Sequence, residues 1–377
     1  MKSVGSEIGA AGKVIAGCAG AMLLAALHPP PGRAVIGPSA VAPYSVSTFA
    51  VSESGYTAPD SITFSRDNVF VGYGNGGAPD GSGGAMSTIV KYTMDGKVVR
   101  TYAVVGHNDG LRYNTTIGDL WALQNEDGNS TLIIIDPKTG GQKTFPLGTG
   151  PHGGGYDDID FEGNDVYLSA SNPTPGVVNE PGIVRFKSHD KKVKLIGILN
   201  DNATATNVLT GEPETLALTD PDSMIVDPFG ELLLDSQGDG ELIVVQHPGL
   251  PCQQNFLVPL TSPEPDGDTP GNTTADDTVF ANAAQGTLLV ADKDGETVYA
   301  ITAPYFSPGA AYTAIVATST PGGATVAAFV GQTNLSTGFV IPIVNGLQNP
   351  GGMAFIPASH NPNLVPDAVA NVAQVCP

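Results

Sequence analysis

The chain has 377 residues, with 16 Lys and Arg against 37 Asp and Glu and a formal net charge of −21. That acidity excludes nucleic acid and anionic lipid as partners, because like charges repel and no basic patch offsets them. Charged residues make up only 14%, Gly and Pro number 48 and 31, and no sustained amphipathic helical period appears, which leaves a chain of many short strands and turns.

Lys2 and Lys13 precede an apolar run over residues 14–27, followed by His28-Pro29-Pro30-Pro31-Gly32-Arg33-Ala34. A basic start, an apolar stretch too short to span a bilayer comfortably and small residues near its end predict an export signal over residues 1–34. The segment holds three basic residues and one acidic one, so its removal takes the net charge from −21 to −23. The expected address is secreted or periplasmic, with no transmembrane span left in the mature chain. Cys252 and Cys376 then remain, and in an oxidising compartment one disulfide between them is expected.

Residues 35–43 read as a linker, and residues 44–51 alternate as a lone strand. From residue 60 one phrase recurs: Asp60-Ser61-Ile62-Thr63-Phe64, Asp109-Gly110-Leu111-Arg112-Tyr113, Asp157-Asp158-Ile159-Asp160-Phe161, Asp222-Ser223-Met224-Ile225-Val226 and Asp276-Asp277-Thr278-Val279-Phe280. A sixth copy, Gly351-Gly352-Met353-Ala354-Phe355, lacks the Asp. Apolar or aromatic residues two apart predict a strand with one buried face. The copies start 49, 48, 65, 54 and 75 residues apart, and strands repeating at such a period predict a β-propeller over residues 44–360 with a tail over 361–377.

Within the first repeat, strands are expected at 60–64, 69–73, 88–92 and 98–102. A Gly-rich loop over 74–87 stands on one rim, and Asp95-Gly96 turns the last hairpin. Later repeats run 109–147, 157–199 and 222–260. The fifth starts at 276 with further strands at 287–290 and 298–301. Asp127-Gly128, Asp239-Gly240 and Asp294-Gly295 occupy matching turns, each joining a second strand to a third. Strands are also expected at 312–317, 325–330, 339–344 and 352–356. The total of twenty-four gives an all-β chain of six blades, each of four antiparallel strands, closed by N- and C-terminal strands; seven blades is the alternative. On that count the last three strands share a blade with residues 44–51, and 44–51 pairs in the sheet of 339–344. By motif, however, 351–355 is a first strand.

Pro59-Asp60-Ser61-Ile62-Thr63-Phe64, followed by Val69-Phe70-Val71 and Ile89-Val90-Lys91-Tyr92, resembles the repeat of NHL-type propellers and the wider six-bladed, TolB-like group. That group includes the gluconolactonase/senescence-marker and streptogramin-lyase families, and Gly150-Pro151-His152-Gly153 resembles a phrase of lyase-like repeats. The resemblance spans residues 44–357 and implies the fold. By analogy it implies a metal-supported hydrolase or lyase as one function.

In a propeller the first strand of each blade lines the central channel. Asp60, Asp109, Asp157, Asp222 and Asp276 therefore form a ring near one mouth. Either each caps its own turn, or together they hold a hard cation such as Ca²⁺. His107 and His152 precede two of these Asp and are the candidate general bases. Two Gly-x-Gly-x-x-Gly matches open no helix, so no nucleotide cofactor is expected. Two functions follow: an exported binding or scaffold protein, expected as a monomer, with a small molecule or protein at the channel mouth; or the Ca²⁺-supported enzyme.

Overall fold

A computed structural model describes residues 37–171, 179–189, 193–263, 271–319, 325–358 and Cys376. The expected export signal lies outside these residues, as does the tail apart from Cys376. Residues 39–40, inside the expected linker, pair with the strand Phe339–Asn345. Among the described residues no helix is long and apolar enough to cross a membrane.

The fold is a six-bladed β-propeller of four-stranded antiparallel blades. Blade 1 runs Pro59–Phe64, Asn68–Tyr73, Met86–Thr93 and Val98–Val105; blade 2 runs Asn108–Asn114, Asp119–Gln124, Asn129–Ile135 and Gln142–Thr149. Blade 3 runs Ile159–Glu162, Asp165–Ser169, Pro181–Lys187 and Ile196–Asn200; blade 4 runs Pro221–Val226, Leu232–Ser236, Glu241–Gln246 and Gln254–Pro259. The recurring phrase forms the inner strand of every blade. These inner strands touch in a closed ring, blade 6 returning to blade 1. Blades are glued by side chains across their seams: Trp121 of blade 2 meets Phe161 of blade 3 edge-on at 5.2 Å, and Phe70 of blade 1 stacks on Tyr113 of blade 2 at 5.8 Å. Full burial of each such ring stabilises by roughly 2–3 kcal/mol.

The last two blades exchange strands. Blade 5 has Ala275–Phe280 innermost, then Ala311–Ile315, Phe329–Asn334 and Phe339–Asn345. The hairpin Gly286–Asp292 and Thr297–Thr302, which sequence order places in blade 5, lies instead in blade 6. There it sits between the inner strand Pro350–Pro357 and the outer strand Ser45–Val51. The motif reading of 351–355 as a first strand therefore holds, and the grouping by strand count fails. Likewise Ser45–Val51 pairs with Thr297–Thr302, not with 339–344. Alternating hydrophobicity names strands, but partners are chosen by which faces bury one another. Met353 and Phe355 pack with Leu288 and Val290 in one cluster.

Both ends of the propeller thus close blade 6. Ala50 lies within a second cluster, against which Phe49 packs. Removing Ser45–Val51 exposes that surface and leaves Thr297–Thr302 as a bare edge. We expect Tm to fall by roughly 5–10 °C; thermal melts of the shortened chain check this, and an unchanged melt would show that the strand contributes nothing to closure. Elsewhere, Cys252 and Cys376 are joined, their Cα atoms 5.7 Å apart, which ties residue 376 to the corner before the outer strand of blade 4.

Candidate cation site at the channel mouth

The ladder between inner and second strand is interrupted at the same place in several blades. The register shifts between Pro59 and Ile62, between Asn108 and Leu111, between Pro221 and Met224 and between Ala275 and Asp277. These bulges sit at the repeated Asp. A bulge bends the strand and re-aims side chains, so two adjacent residues can face the channel where strict alternation allows one. Asp276 and Asp277 both line the mouth, as do Asp157 and Asp158 and the pairs Asp60-Ser61 and Asp222-Ser223.

The result is a cavity of about 250 Å³ bordered by all five ring carboxylates. Corners after the second strands add Glu126, Asp127, Ser171, Gln237 and Lys293, and Asp220 precedes the inner strand of blade 4. Ten carboxylates and only two cations, Arg112 and Lys293, line it among the described residues. At the sixth ring position stands Gly351. A Cβ there would lie 2.9 Å from Asp60 Oδ1 and 3.1 Å from Asp276 Oδ2, so glycine lets the neighbouring carboxylates close in. The same blade supplies Lys293, whose Nζ is 2.7 Å from Asp60 Oδ2. The Asp60 and Asp276 charges hold the Lys293 ammonium well above its ordinary pKa despite burial.

The ring Asp do not cap their own turns in the hydrogen bonds the structure shows. Gln237 Nε2 donates to Asp222 Oδ2 at 2.6 Å and to Asp276 Oδ1 at 3.2 Å, bridging two blades. Asp157, 4% exposed, has an Oδ1 without a hydrogen-bond partner. Burial and neighbouring carboxylates push Asp109, Asp157, Asp222 and Glu126 well above the usual carboxylate range. Burial raises Asp276 to about 7, Asp277 to about 8 and Asp220 to about 6. Each value says that ionisation here is opposed by missing solvent and by like charge.

Below the mouth Arg112 crosses the channel. Its Nε donates to the Ile159 carbonyl at 2.9 Å, and its Nη2 donates to Asp158 Oδ2 at 2.9 Å and the Met224 carbonyl at 3.1 Å. Asp160 Oδ1 lies 3.6 Å from Nε. With Ile62 and Met353, Arg112 borders both the acidic mouth and a smaller space of about 50 Å³ beneath, where Phe64, Phe161, Phe280 and Phe355 gather. The mouth is a cup with an arginine floor.

The two candidate histidines part company. His107 stands at the cup beside the ring: its Nε2 is 3.7 Å from Glu126 Oε2. Burial lowers its pKa, against the opposing charge of Asp60. The Gly-rich loop holds the ring in place, since a Cβ at Gly74 would come 2.7 Å from His107 Cε1. His152 does not reach the mouth; its side chain is fully buried with Nε2 3.4 Å from Asp201 Oδ2. Its spacing from Asp157 resembled that of a channel residue, but the turn at residues 150–154 directs it inward. Sequence reasoning did not single out Glu126, Asp158, Asp220, Asp277, Gln237, Arg112 or Lys293. Asp158 and Asp277 were adjacent to ring residues; the bulge before Asp277 brings it in, and in blade 3 Asp157 and Asp158 both oppose Ser169, whose carbonyl accepts from Asp157 N–H and whose N–H donates to the Asp158 carbonyl.

No protein-family model matches the chain, and no curated protein matches it in sequence. Among solved structures the chain is similar to a streptogramin B lyase, at 13% identity over 78% of this chain and 74% of that one, with a TM-score of 0.39. A gluconolactonase from Xanthomonas campestris is similar at 12% identity, over 70% and 91%, with a TM-score of 0.36. A protein from Lactobacillus plantarum is similar at 11%, over 80% and 89%, with a TM-score of 0.41. Likeness at this level carries no information about ligand or activity.

Proposed function

We propose that this protein is an exported binding propeller that holds a divalent cation, Ca²⁺ by its chemistry, at the channel mouth and captures a small oxygen-rich molecule on it. The observation that carries this reading is the convergence of ten carboxylates on one cup with two cations to answer them. Asp109, Glu126 and Asp157 offer oxygens that all lie within 4.8 Å of one another, the span expected when each sits about 2.4 Å from a common Ca²⁺. An all-oxygen donor set suits a hard cation, and water or ligand oxygens complete its coordination. The acidic cup repels a bare anion, so an anionic or hydroxyl-bearing ligand binds through the cation. The disulfide suits an oxidising compartment, in keeping with the expected export signal.

Calorimetric titration of chelator-treated protein with Ca²⁺ is expected to show uptake, and Tm to rise with Ca²⁺ by mass action. Asp157→Asn is expected to weaken Ca²⁺ binding at least tenfold and to flatten the Ca²⁺ dependence of the melt. Absence of uptake, with a melt indifferent to chelator, would leave the cup as a set of structural carboxylates.

A second reading, a metal-supported hydrolase or lyase, is favoured by His107. It is a largely buried imidazole whose pKa burial lowers, within reach of the same cup, and a deprotonated imidazole there is what a general base requires. Turnover of lactone or ester substrates that disappears in His107→Gln while Ca²⁺ uptake persists would decide for the enzyme.

A further inference from the structure

The cup contains a second donor set that the Ca²⁺ reading does not use. Asp60, His107 and Asp109 also present one ligand atom each, all within 4.8 Å of one another. We propose that the mouth holds two cations side by side, bridged by the Asp109 carboxylate: a hard ion on Asp109, Glu126 and Asp157, and a first-row transition-metal dication on Asp60, His107 and Asp109. The first half rests on the cation reading above, and the second half goes beyond it.

Three observations lead here. The two triads share Asp109, and a carboxylate has two oxygens with which to serve two ions. The donor chemistry differs between the halves: imidazole nitrogen suits Mn²⁺, Co²⁺ or Zn²⁺, whereas Ca²⁺ takes oxygen. Finally, groups of the triad that shares Asp109 are held without hydrogen-bond partners: Asp157 is 4% exposed with Oδ1 unpartnered, and Glu126 Oε2, which faces His107 Nε2 at 3.7 Å, is buried with none. Unpaired buried polar atoms are destabilising unless something answers them.

The site is also built to hold its shape. The His107 backbone N–H donates to Asn125 Oδ1 at 3.0 Å, and Gly74 and Gly77 crowd the ring. Glu126, a ligand of the hard site, lies 3.7 Å from His107 Nε2. The two halves are therefore linked both through Asp109 and through this contact, as ligands and their orienting partners are in metal sites. Lys293, ion-paired to Asp60, supplies the positive charge that stands near Asp60 when no metal is bound.

Mn²⁺ is the probe, because it accepts both donor sets and reports its neighbours by electron paramagnetic resonance. Chelator-treated full-length protein loaded with Mn²⁺ is expected to hold two ions per chain and to give an exchange-coupled spectrum. His107→Gln is expected to hold one Mn²⁺ with the six-line spectrum of an isolated ion, while still taking up one Ca²⁺ by calorimetry. One Mn²⁺ per chain in the wild type, or two without coupling, overturns the bridged pair. If Ca²⁺ binds but the Mn²⁺ count is one, the second site falls and the cation reading stands; if neither ion binds, both fall. Should the Gln variant not fold, the count and coupling in the wild type decide alone.

Discussion

Arg112→Met is expected to lower stability by about 3–5 kcal/mol, a fall of about 4–7 °C in Tm for a chain of this length. The guanidinium is buried in the channel and answers Asp158 and Asp160 at once. It also donates to two carbonyls on the inner strands of blades 3 and 4. Those carboxylates have structural duties of their own: Asp158 Oδ2 accepts from Met224 N–H at 3.0 Å and Asp160 Oδ2 from Val226 N–H at 2.7 Å, stitching blade 3 to blade 4. Without the arginine they remain buried with less to balance them, and removing one partner of a buried pair is worse than never having made it. Arg112→Lys keeps the charge but not the fork, so it cannot serve both carbonyls and both carboxylates; an intermediate loss is expected. Thermal melts in chelator read the effect. A Met variant within 1 °C of the parent would make the arginine a passive filler.

In chelator, the protein is expected to become less stable as pH rises from 5 to 8. Asp220, Asp276 and Asp277 have folded-state values raised to about 6, 7 and 8 from the ordinary carboxylate value of 3.8, burial being the first cause of each. Asp109, Asp157, Asp222, Asp235 and Glu126 are raised in the same direction, burial again being the first cause. A carboxyl raised on folding binds more protons folded than unfolded. Its contribution is fully present below its unfolded value and is lost as pH climbs through its folded one. The size of the Asp276 shift alone corresponds to about 4 kcal/mol. His107, whose value is lowered, works the opposite way, but it is one group against several. Ca²⁺ binds the ionised cup, so saturating Ca²⁺ is expected to flatten the slope. A Tm that rises from pH 5 to 8 in chelator, or a slope that ignores Ca²⁺, contradicts this.

Much of the fold was legible in the chain. The phrase at residues 60, 109, 157, 222, 276 and 351 named all six inner strands, because a channel-lining strand needs the same alternation each time. The Asp-Gly turns located hairpins, since few residues accept their backbone angles. The copies of Asp also placed the ring, because equivalent positions of a closed repeat converge. Part of the site was hidden. Asp158 and Asp277 follow a ring Asp directly and so belonged by alternation to the other face; the break in alternation that turns them inward has no signature in these residues. Arg112 and Lys293 sit where a strand face and a turn would place any solvated charge. Only the blades opposite show what they answer.

The sequence by itself determined the all-β character, the identity of the inner strands and the carboxylate ring, because these depend on local periodicity and on fold symmetry; it left six or seven blades open. The tertiary structure decided which blade takes the hairpin 286–302, which histidine reaches the cup and how the sixth gap is filled by Gly351 and Lys293. Those outcomes rest on which distant surfaces bury one another and on which charges are left without water. Neither is a property of any stretch of chain read alone.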